Sequence, residues 1–283
     1  MTLWASKPGG GKTSIAPKGT TVLSHRFIRG QEATAFTGYG ADLAGHIHRV
    51  NVDGGNAKQL TSGTGETLIA ATSDGKFLLY NTPQAPRTLM VLASDGSGSP
   101  RQLATDYIDG LIFSRDGKLI SYQKLDASQQ KVVTVRTVMN FDDGRTIATL
   151  PPRRGDQITP NGDAITFIEL GKSATDKTPA VPATVFKVPL SGGAPQKLFD
   201  MADSRLDRVS WVDEKTAVVA AFSLKNPVSN LWRWTVGSPK PVPLTDFRAG
   251  LIFEFAASQD GKMIYFTQGS NNRDIIKITG LIK

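Results

Sequence analysis

Short apolar runs, roughly four to eight residues long as strands are, alternate along the whole chain with clusters of Gly, Pro, Asn, Asp and Ser. No window holds a sustained apolar period of about 3.6 residues, so helices are expected to be few. One stretch sets the pattern: Ser114-Arg115-Asp116-Gly117-Lys118-Leu119-Ile120-Ser121-Tyr122. Worn copies stand at Thr72-Ser73-Asp74-Gly75-Lys76-Phe77-Leu78-Leu79-Tyr80 and Ala257-Ser258-Gln259-Asp260-Gly261-Lys262-Met263-Ile264-Tyr265-Phe266. Each reads as a strand, a tight Asp-Gly turn with positive φ at both central residues, and a second strand opening with Lys.

Taking the turn glycine as ruler, copies fall at Gly30, Gly75, Gly117, Gly162, a degenerate one at Lys215, and Gly261, spaced 45, 42, 45, 53 and 46 residues apart. A second landmark follows each hairpin, as in His48-Arg49-Val50-Asn51-Val52-Asp53-Gly54-Gly55 leading to Lys58-Gln59-Leu60-Thr61, and Val185-Phe186-Lys187-Val188 leading through Gly192-Gly193 to Gln196-Lys197-Leu198. Every repeat thus predicts strands A, B, C and D joined by hairpins. Four antiparallel strands at this period are the signature of a propeller blade. Six repeats fill the 283 residues. The expected fold is all-β: one domain over 1–283, a six-bladed β-propeller of four-stranded antiparallel blades. A strand from within Thr2 to Pro17 is expected to close the ring beside a C strand at Asp274–Thr279, removing exposed sheet edges. Alternatively, Thr2–Ser6 with Pro8-Gly9-Gly10 reads as the C strand and turn of a truncated upstream blade.

The Ser-x-Asp-Gly-Lys hairpins, with the Asp-Gly-Gly turns and the Lys/Arg-Gln-Leu-Thr strands, resemble the TolB-like, PD40-type (WD40-like) propeller repeats of bacteria. The terminal stretch is similar to the ends of propellers attached to bacterial membrane-bound Ser/Thr kinases or winged-helix regulators. It comprises Leu244-Thr245-Asp246-Phe247, Ile252-Phe253-Glu254-Phe255, Ser258–Lys262 and Arg273–Ile278. The resemblance implies an extracytoplasmic, periplasmic setting within a larger sensor or envelope protein, with an upstream kinase or DNA-binding domain as a partner. Two departures stand out: the usual Ser-Pro-Asp-Gly proline survives only at Thr159-Pro160-Asn161-Gly162, and Trp211-Val212-Asp213-Glu214-Lys215 has lost its glycine.

Bulk composition narrows the function. Cysteine is absent, which excludes disulfides and thiolate metal sites. No apolar run approaches the length that spans a bilayer, and the first residues carry no signal-peptide pattern. The net charge of +8 is spread over many strands and turns, which favours solubility and steering over a dedicated nucleic-acid surface. Clustered aromatics for stacking bases are lacking.

Individual motifs are weak. Lys7–Ser14 mimics a phosphate loop, but Ser6 stands where the first glycine belongs and Pro17 interrupts any following helix. His46-Ile47-His48 places two imidazoles on one strand face, a metal pair if Asp42 or His25 joined it; alignment of the Gly turns instead sets His48 opposite Phe186, a packing position. Ser24-His25 point to opposite faces and no nucleophile elbow exists, so no catalytic residues are assigned. Arg154-Gly155-Asp156 leads into a strand and reads as coincidence.

The distributed signal is an acid ahead of every A strand but the first: Glu66, Asp109, Asp156, Asp207 and Glu254. As D–A loop residues they would ring one channel mouth and favour a Lys/Arg-bearing partner or a cation such as Ca²⁺; as turn formers they would merely solubilise. Two long loops, Gly171–Ala180 (B–C) and Asp200–Asp207 (D–A), flank that mouth, where recognition tends to sit. The A–B hairpins carry Arg29, Lys76, Arg115, Lys118, Lys215 and Lys262 at the opposite end. No cofactor other than that cation is expected. The functional expectation is a non-enzymatic module binding a protein, peptide or small signal at the D–A/B–C end, with a metal-assisted hydrolase or lyase as the alternative.

Overall fold

The computed structural model describes residues 3–6, 12–85, 87–126, 133–171, 181–224, 228–257 and 263–270. The Gly-rich turn at 7–11, loop residues 172–180, the hairpin residues Gly261 and Lys262, and the expected closing strand 274–279 lie outside them. The chain divides into two compact units, Met1–Pro152 and Arg153–Lys283. Among the described residues no helix is long and apolar enough to cross a membrane.

In the first unit, β1 (Trp4–Ser6) and β2 (Lys12–Ser14) pair as an antiparallel hairpin. Sheet 1 comprises β3 (Thr21–Ile28), β4 (Ala33–Tyr39), β5 (Gly45–Asn51) and β6 (Lys58–Gln59). Sheet 2 is β7 (Thr67–Ala71), β8 (Phe77–Asn81), β9 (Leu89–Ala93) and β10 (Arg101–Ala104). Sheet 3 is β11 (Tyr107–Phe113), β12 (Leu119–Asp126), β13 (Val133–Asn140) and β14 (Thr146–Leu150). The second unit holds sheet 4, β15 (Arg154–Ile158), β16 (Ala164–Glu169), β17 (Ala183–Pro189) and β18 (Gln196–Met201). It also holds sheet 5, β19 (Ser204–Trp211), β20 (Thr216–Ser223), β21 (Ser229–Thr235) and β22 (Val242–Pro243), and the pair β23 (Leu251–Ala257) with β24 (Ile264–Gly269). Every four-stranded sheet runs A-B-C-D in chain order with antiparallel neighbours.

The core is divided among the gaps between successive sheets. Ile28, Ile47, Leu68, Leu78 and Leu92 fill the space between sheets 1 and 2, and Leu79, Val91, Ile120, Tyr122 and Met139 that between sheets 2 and 3. In the second unit Val185, Phe199, Val209, Val219 and Trp234 join sheets 4 and 5, and Val218, Leu231, Ile252 and Phe255 join sheet 5 to β23–β24. Middle strands therefore bury both faces, as in the five buried residues of Ala164–Ile168 and Val218 with its neighbours, and alternate less than one-sided strands would. Ile15 and Leu3 bring the β1–β2 hairpin onto Val22, Phe36 and Val50 of sheet 1.

The repeated residues have local work. Thr72 Oγ1 donates to Asp74 Oδ1 (2.7 Å) and accepts the Phe77 amide (3.0 Å), while Asp74 Oδ1 accepts the Lys76 amide (3.0 Å). Ser114, Asp116, Lys118 and Leu119 repeat the arrangement at 2.6, 2.8 and 3.0 Å. At Thr159 the acid has moved to Asp163 and still accepts the hydroxyl (2.7 Å). Only the glycine is left-handed, at φ +72° for Gly75 and +74° for Gly117. The expected turn with two positive-φ residues is therefore corrected. Gly75 N–H bonds Thr72 O (2.9 Å), which closes a right-handed four-residue turn ending in a left-handed glycine, and the Asp is bent back to cap the following amides instead. The Leu-Thr of the D-strand motif is also structural: Thr61 and Thr245 hydroxyls accept the Ile47 and Leu231 amides at 2.9 Å each.

A second correction concerns the long D–A loop expected over Asp200–Asp207. Met201 pairs with Ala183 and Ser204 with Ser223, leaving only Ala202-Asp203 as a turn, with Asp203 at φ +52°. Buried Phe199, Met201 and Leu206 keep the chain in strand on either side.

Two glycines separate backbone strain from crowding. A Cβ at Gly30 meets nothing within 4 Å, whereas one at Gly75 falls 2.1 Å from the Arg29 carbonyl oxygen of the neighbouring sheet. Gly30→Ala is expected to cost about 1 kcal/mol for the left-handed backbone alone. Gly75→Ala should cost on the order of 3 kcal/mol, since the two sheets must part. Urea unfolding of both variants tests this; equal losses would refute inter-sheet contact through the hairpin.

Candidate functional site

Each A strand carries an irregularity near its start. The register slips between Leu68 and Ala70, around Asp109, between Arg154 and Gln157, between Leu206 and Arg208, and between Ile252 and Glu254. Such bulges increase twist and re-aim side chains. They place Asp109, Asp156, Asp207 and Glu254 inside β11, β15, β19 and β23; only Glu66 precedes its strand. The five acids are not alike. Glu66 and Asp156 are buried, Asp207 is half-buried, and Asp109 and Glu254 are exposed. Asp156 Oδ2 accepts the Arg153 amide at 3.4 Å, and Glu254 borders an open hollow of about 300 Å³ with Arg208, Phe255 and Tyr265.

The tightest constellation lies in the first unit, at the B–C/D–A end of sheet 1. His46, on β5, is buried between two carboxylates: Asp42 Oδ2 lies 3.1 Å from Nε2 and Glu66 Oε2 lies 3.3 Å from Nδ1. The loop between β4 and β5 supplies Asp42 and the crossover from β6 to β7 supplies Glu66. Glu66 is itself fixed, its Oε1 accepting the Gly63 amide at 2.8 Å while its own amide donates to Gly45 O at 2.7 Å. The hydrogen bond and charge of Asp42, joined by Glu66, raise the His46 pKa despite burial, and His46 in turn lowers that of Asp42. A neutral imidazole has one N–H, so only the imidazolium satisfies both acceptors.

His48 plays another part. Its ring stacks on Phe36 across the strand pair (5.1 Å, 9°), as Phe186 stacks on Phe167 (5.5 Å, 18°), so the alignment of these two positions holds. Burial and the charge of His46 lower its pKa. His25 is exposed on β3. Among the described residues no three His, Asp or Glu side chains converge as a metal-holding group.

At the same end of the second unit, Asp207 accepts Arg154 Nη2 (2.9 Å) and Arg205 Nε (3.2 Å), and Arg153 reaches Glu169 (3.5 Å) while lying over the Phe167 ring at 4.8 Å. Sequence reasoning set Arg154 aside as part of a coincidental tripeptide and missed Arg153 and Arg205. Their positions two or three residues before an acid carried the signal, but only folding brings Arg154 to an acid 53 positions away.

The opposite end is built differently. Burial works against ionisation of Asp74 and Asp116, yet hydrogen bonds from Thr72 and Ser114 and from the following amides hold both pKa values low. The basic hairpin residues Lys76 and Lys118 sit beside these acids, so this end of the first unit is mixed in charge. Phe77 and Phe141 meet edge to face at 5.8 Å there, beside a cleft of about 180 Å³ between the β7–β8 and β11–β12 turns.

Asp109 acts electrostatically on a neighbouring phenol. Burial first, and the Asp109 charge second, push the Tyr107 phenol up to about 12, and burial does the same for Tyr122. Because the folded state holds both phenols neutral, their stabilisation is complete below the ordinary tyrosine value near 10. It is lost as pH rises towards about 12. Asp109→Asn should lower the Tyr107 midpoint in a spectrophotometric titration and leave Tyr122 in place; no movement would remove Asp109 from the phenol's neighbourhood.

No protein-family model and no curated protein matches the chain. Solved structures do. An oligogalacturonate lyase in complex with manganese aligns at 15% identity and a TM-score of 0.65, over 93% of this chain and 77% of the lyase. The β-propeller domain of the Trilobed protease from Pyrococcus furiosus aligns at 14% and 0.65, over 90% of this chain and 80% of the domain. A putative TolB from Agrobacterium tumefaciens aligns at 14% and 0.52, over 92% and 95%. At such identities the likeness establishes architecture alone: antiparallel four-stranded sheets of the β-propeller type.

Proposed function

We propose that this chain is a non-enzymatic recognition module, a single six-bladed propeller that takes a peptide or a protein segment at the B–C/D–A ends of its sheets. The observation that carries this reading is how the two ends use their carboxylates. At the A–B/C–D end each acts on its own turn: Asp74, Asp116 and Asp213 accept the amide two residues on, as do Asp53, Asp95 and Asp143. At the other end four of them meet cations from other strands and loops: Asp42 and Glu66 on His46, Asp207 on Arg154, Glu169 on Arg153. The Asp207–Arg154 and Glu169–Arg153 pairs are exposed, and exposed ion pairs contribute little to stability, so such a rim is better suited to exchanging partners with a ligand. A peptide bearing both charges matches such a rim by complementarity. Its setting on this reading is a larger extracytoplasmic sensor or envelope protein, and ring closure through a terminal strand belongs to the same proposal; the Trilobed protease propeller carries an open velcro topology.

The rival, a metal-assisted hydrolase or lyase, draws on the manganese-bound lyase neighbour. Calorimetric titration with Mn²⁺ and Ca²⁺ separates the two; a stoichiometric site whose loading creates hydrolytic or eliminating activity favours the rival.

The direct test is selection of a peptide display library on the whole chain. Binders should lose at least about tenfold, or about 1.4 kcal/mol, on Asp109→Lys with Asp207→Lys, with melting and circular dichroism confirming the fold. They should change little on Lys76→Glu with Lys118→Glu. The reverse pattern, or a library that yields no binder, overturns the proposal.

A further inference from the structure

We infer that His46 is a proton-operated latch: its imidazolium ties the Asp42 loop to the Glu66 crossover, and loss of one ring proton releases the Asp42 loop. The geometry requires the charged ring, because both nitrogens face carboxylate oxygens. When one proton leaves to solvent, the two sides are unequal. Glu66 is buried and its other oxygen is committed to the Gly63 amide, whereas the Asp42 side chain is 58% exposed. A buried acceptor left unmet costs more than one that water can reach. The remaining proton therefore stays on Nδ1 towards Glu66, and Nε2 turns a lone pair on the Asp42 carboxylate. That contact becomes repulsive and Asp42 swings to water.

What the latch holds is a strained turn. Asp42 Oδ1 accepts the Ala44 amide at 3.1 Å, Leu43 N–H bonds Gly40 O at 3.2 Å, and Leu43 is left-handed at φ +55°. Its side chain is 80% exposed, an apolar group held out at the tip of a B–C loop. A branched residue in that conformation persists only where its surroundings impose it. Asp42, pinned on one oxygen by the turn and on the other by His46, is the group that imposes it. Leu43 thus stands on the face proposed for recognition, and on that reading the proton state of His46 decides whether it is presented.

Among the described residues, the titratable groups facing the ring are Asp42, Glu66 and His48, whose ring lies 6.5 Å away, with the Tyr80 phenol beyond Glu66. His48 and burial oppose the charge, and the two carboxylates outweigh them. A raised His pKa means the latch is fully closed below the ordinary value near 6.5 and opens as pH climbs through the higher folded value. Asp42, whose pKa is lowered, opens it from the acid side only when protonated, below the ordinary carboxylate range.

Nuclear magnetic resonance of the whole chain, without ligand, tests this. The His46 ring should titrate above about 6.5, and the Leu43 and Ala44 amides should shift and exchange faster with the same midpoint. In Asp42→Asn the His46 midpoint should fall and those amides should lose their pH response, while His48 titrates low throughout. Asp42 is exposed, so this variant keeps the fold. Glu66→Gln should also lower the His46 midpoint, yet leave the Leu43 amide following it. A His46 midpoint at or below 6.5, or loop amides indifferent to it, overturns the latch. Because no ligand enters, a failed peptide selection leaves this result standing, and a failed latch leaves the selection standing.

Discussion

The structure rests on stacking. A four-stranded sheet with two apolar faces cannot bury either by itself, and here each finds a neighbouring sheet: Leu78 and Leu92 on the sheet 1 side, Leu79 and Val91 on the sheet 3 side. Alternate residues of one strand thus serve two different cores. The hairpins must then lie close, and the Gly75 position, with the Arg29 carbonyl against its Cα, is where that closeness allows no side chain. Gln31 and Ser94 seal the same contact by donating to the Gly75 carbonyl at 2.9 and 2.6 Å.

Stacking also divides polar labour between the two ends of the sheets. Where A joins B and C joins D, turns are short, and a carboxylate serves best by capping the amides beside it. Where B meets C and one sheet passes to the next, the chain changes direction and sheet. Side chains from different elements converge there, and His46 meets acids 4 residues before and 20 residues after it. The second unit fills the equivalent positions with guanidinium–carboxylate pairs, which lack any group that titrates near neutrality. Among the described residues, the corner of sheet 1 is therefore where proton concentration can act on a loop.

Much of the fold was legible because the repeat encodes local chemistry. A hydroxyl two residues before an acid, with glycine next, closes one turn with one set of bonds at Thr72 and Ser114 alike. Drift in the motif follows the same logic. At Thr159 the acid slid to Asp163 and kept its hydroxyl partner, and at Asp213 the glycine went while the amide cap on Lys215 remained. The misreadings came where local and long-range preferences compete. Asp-Gly suggested a turn of the primed type, yet capping drew the acid into the right-handed region. Polar Asp200, Asp203 and Asp207 suggested a loop, yet Phe199, Met201 and Leu206 kept their strands running almost to the corner.

By itself the sequence determined the strand order, the turn positions and the all-β class, since these depend on residues within one repeat and on a period of two. It also marked Glu66, Asp109, Asp156, Asp207 and Glu254 as one recurring position. Only the tertiary structure decided that these acids differ: Glu66 holds a buried imidazole, Asp207 holds two arginines, and Asp109 stands exposed beside a phenol. The reason is physical. A carboxylate's role is set by what lies within a few ångströms, and at the corners of stacked sheets those neighbours come from strands that the linear chain keeps far apart.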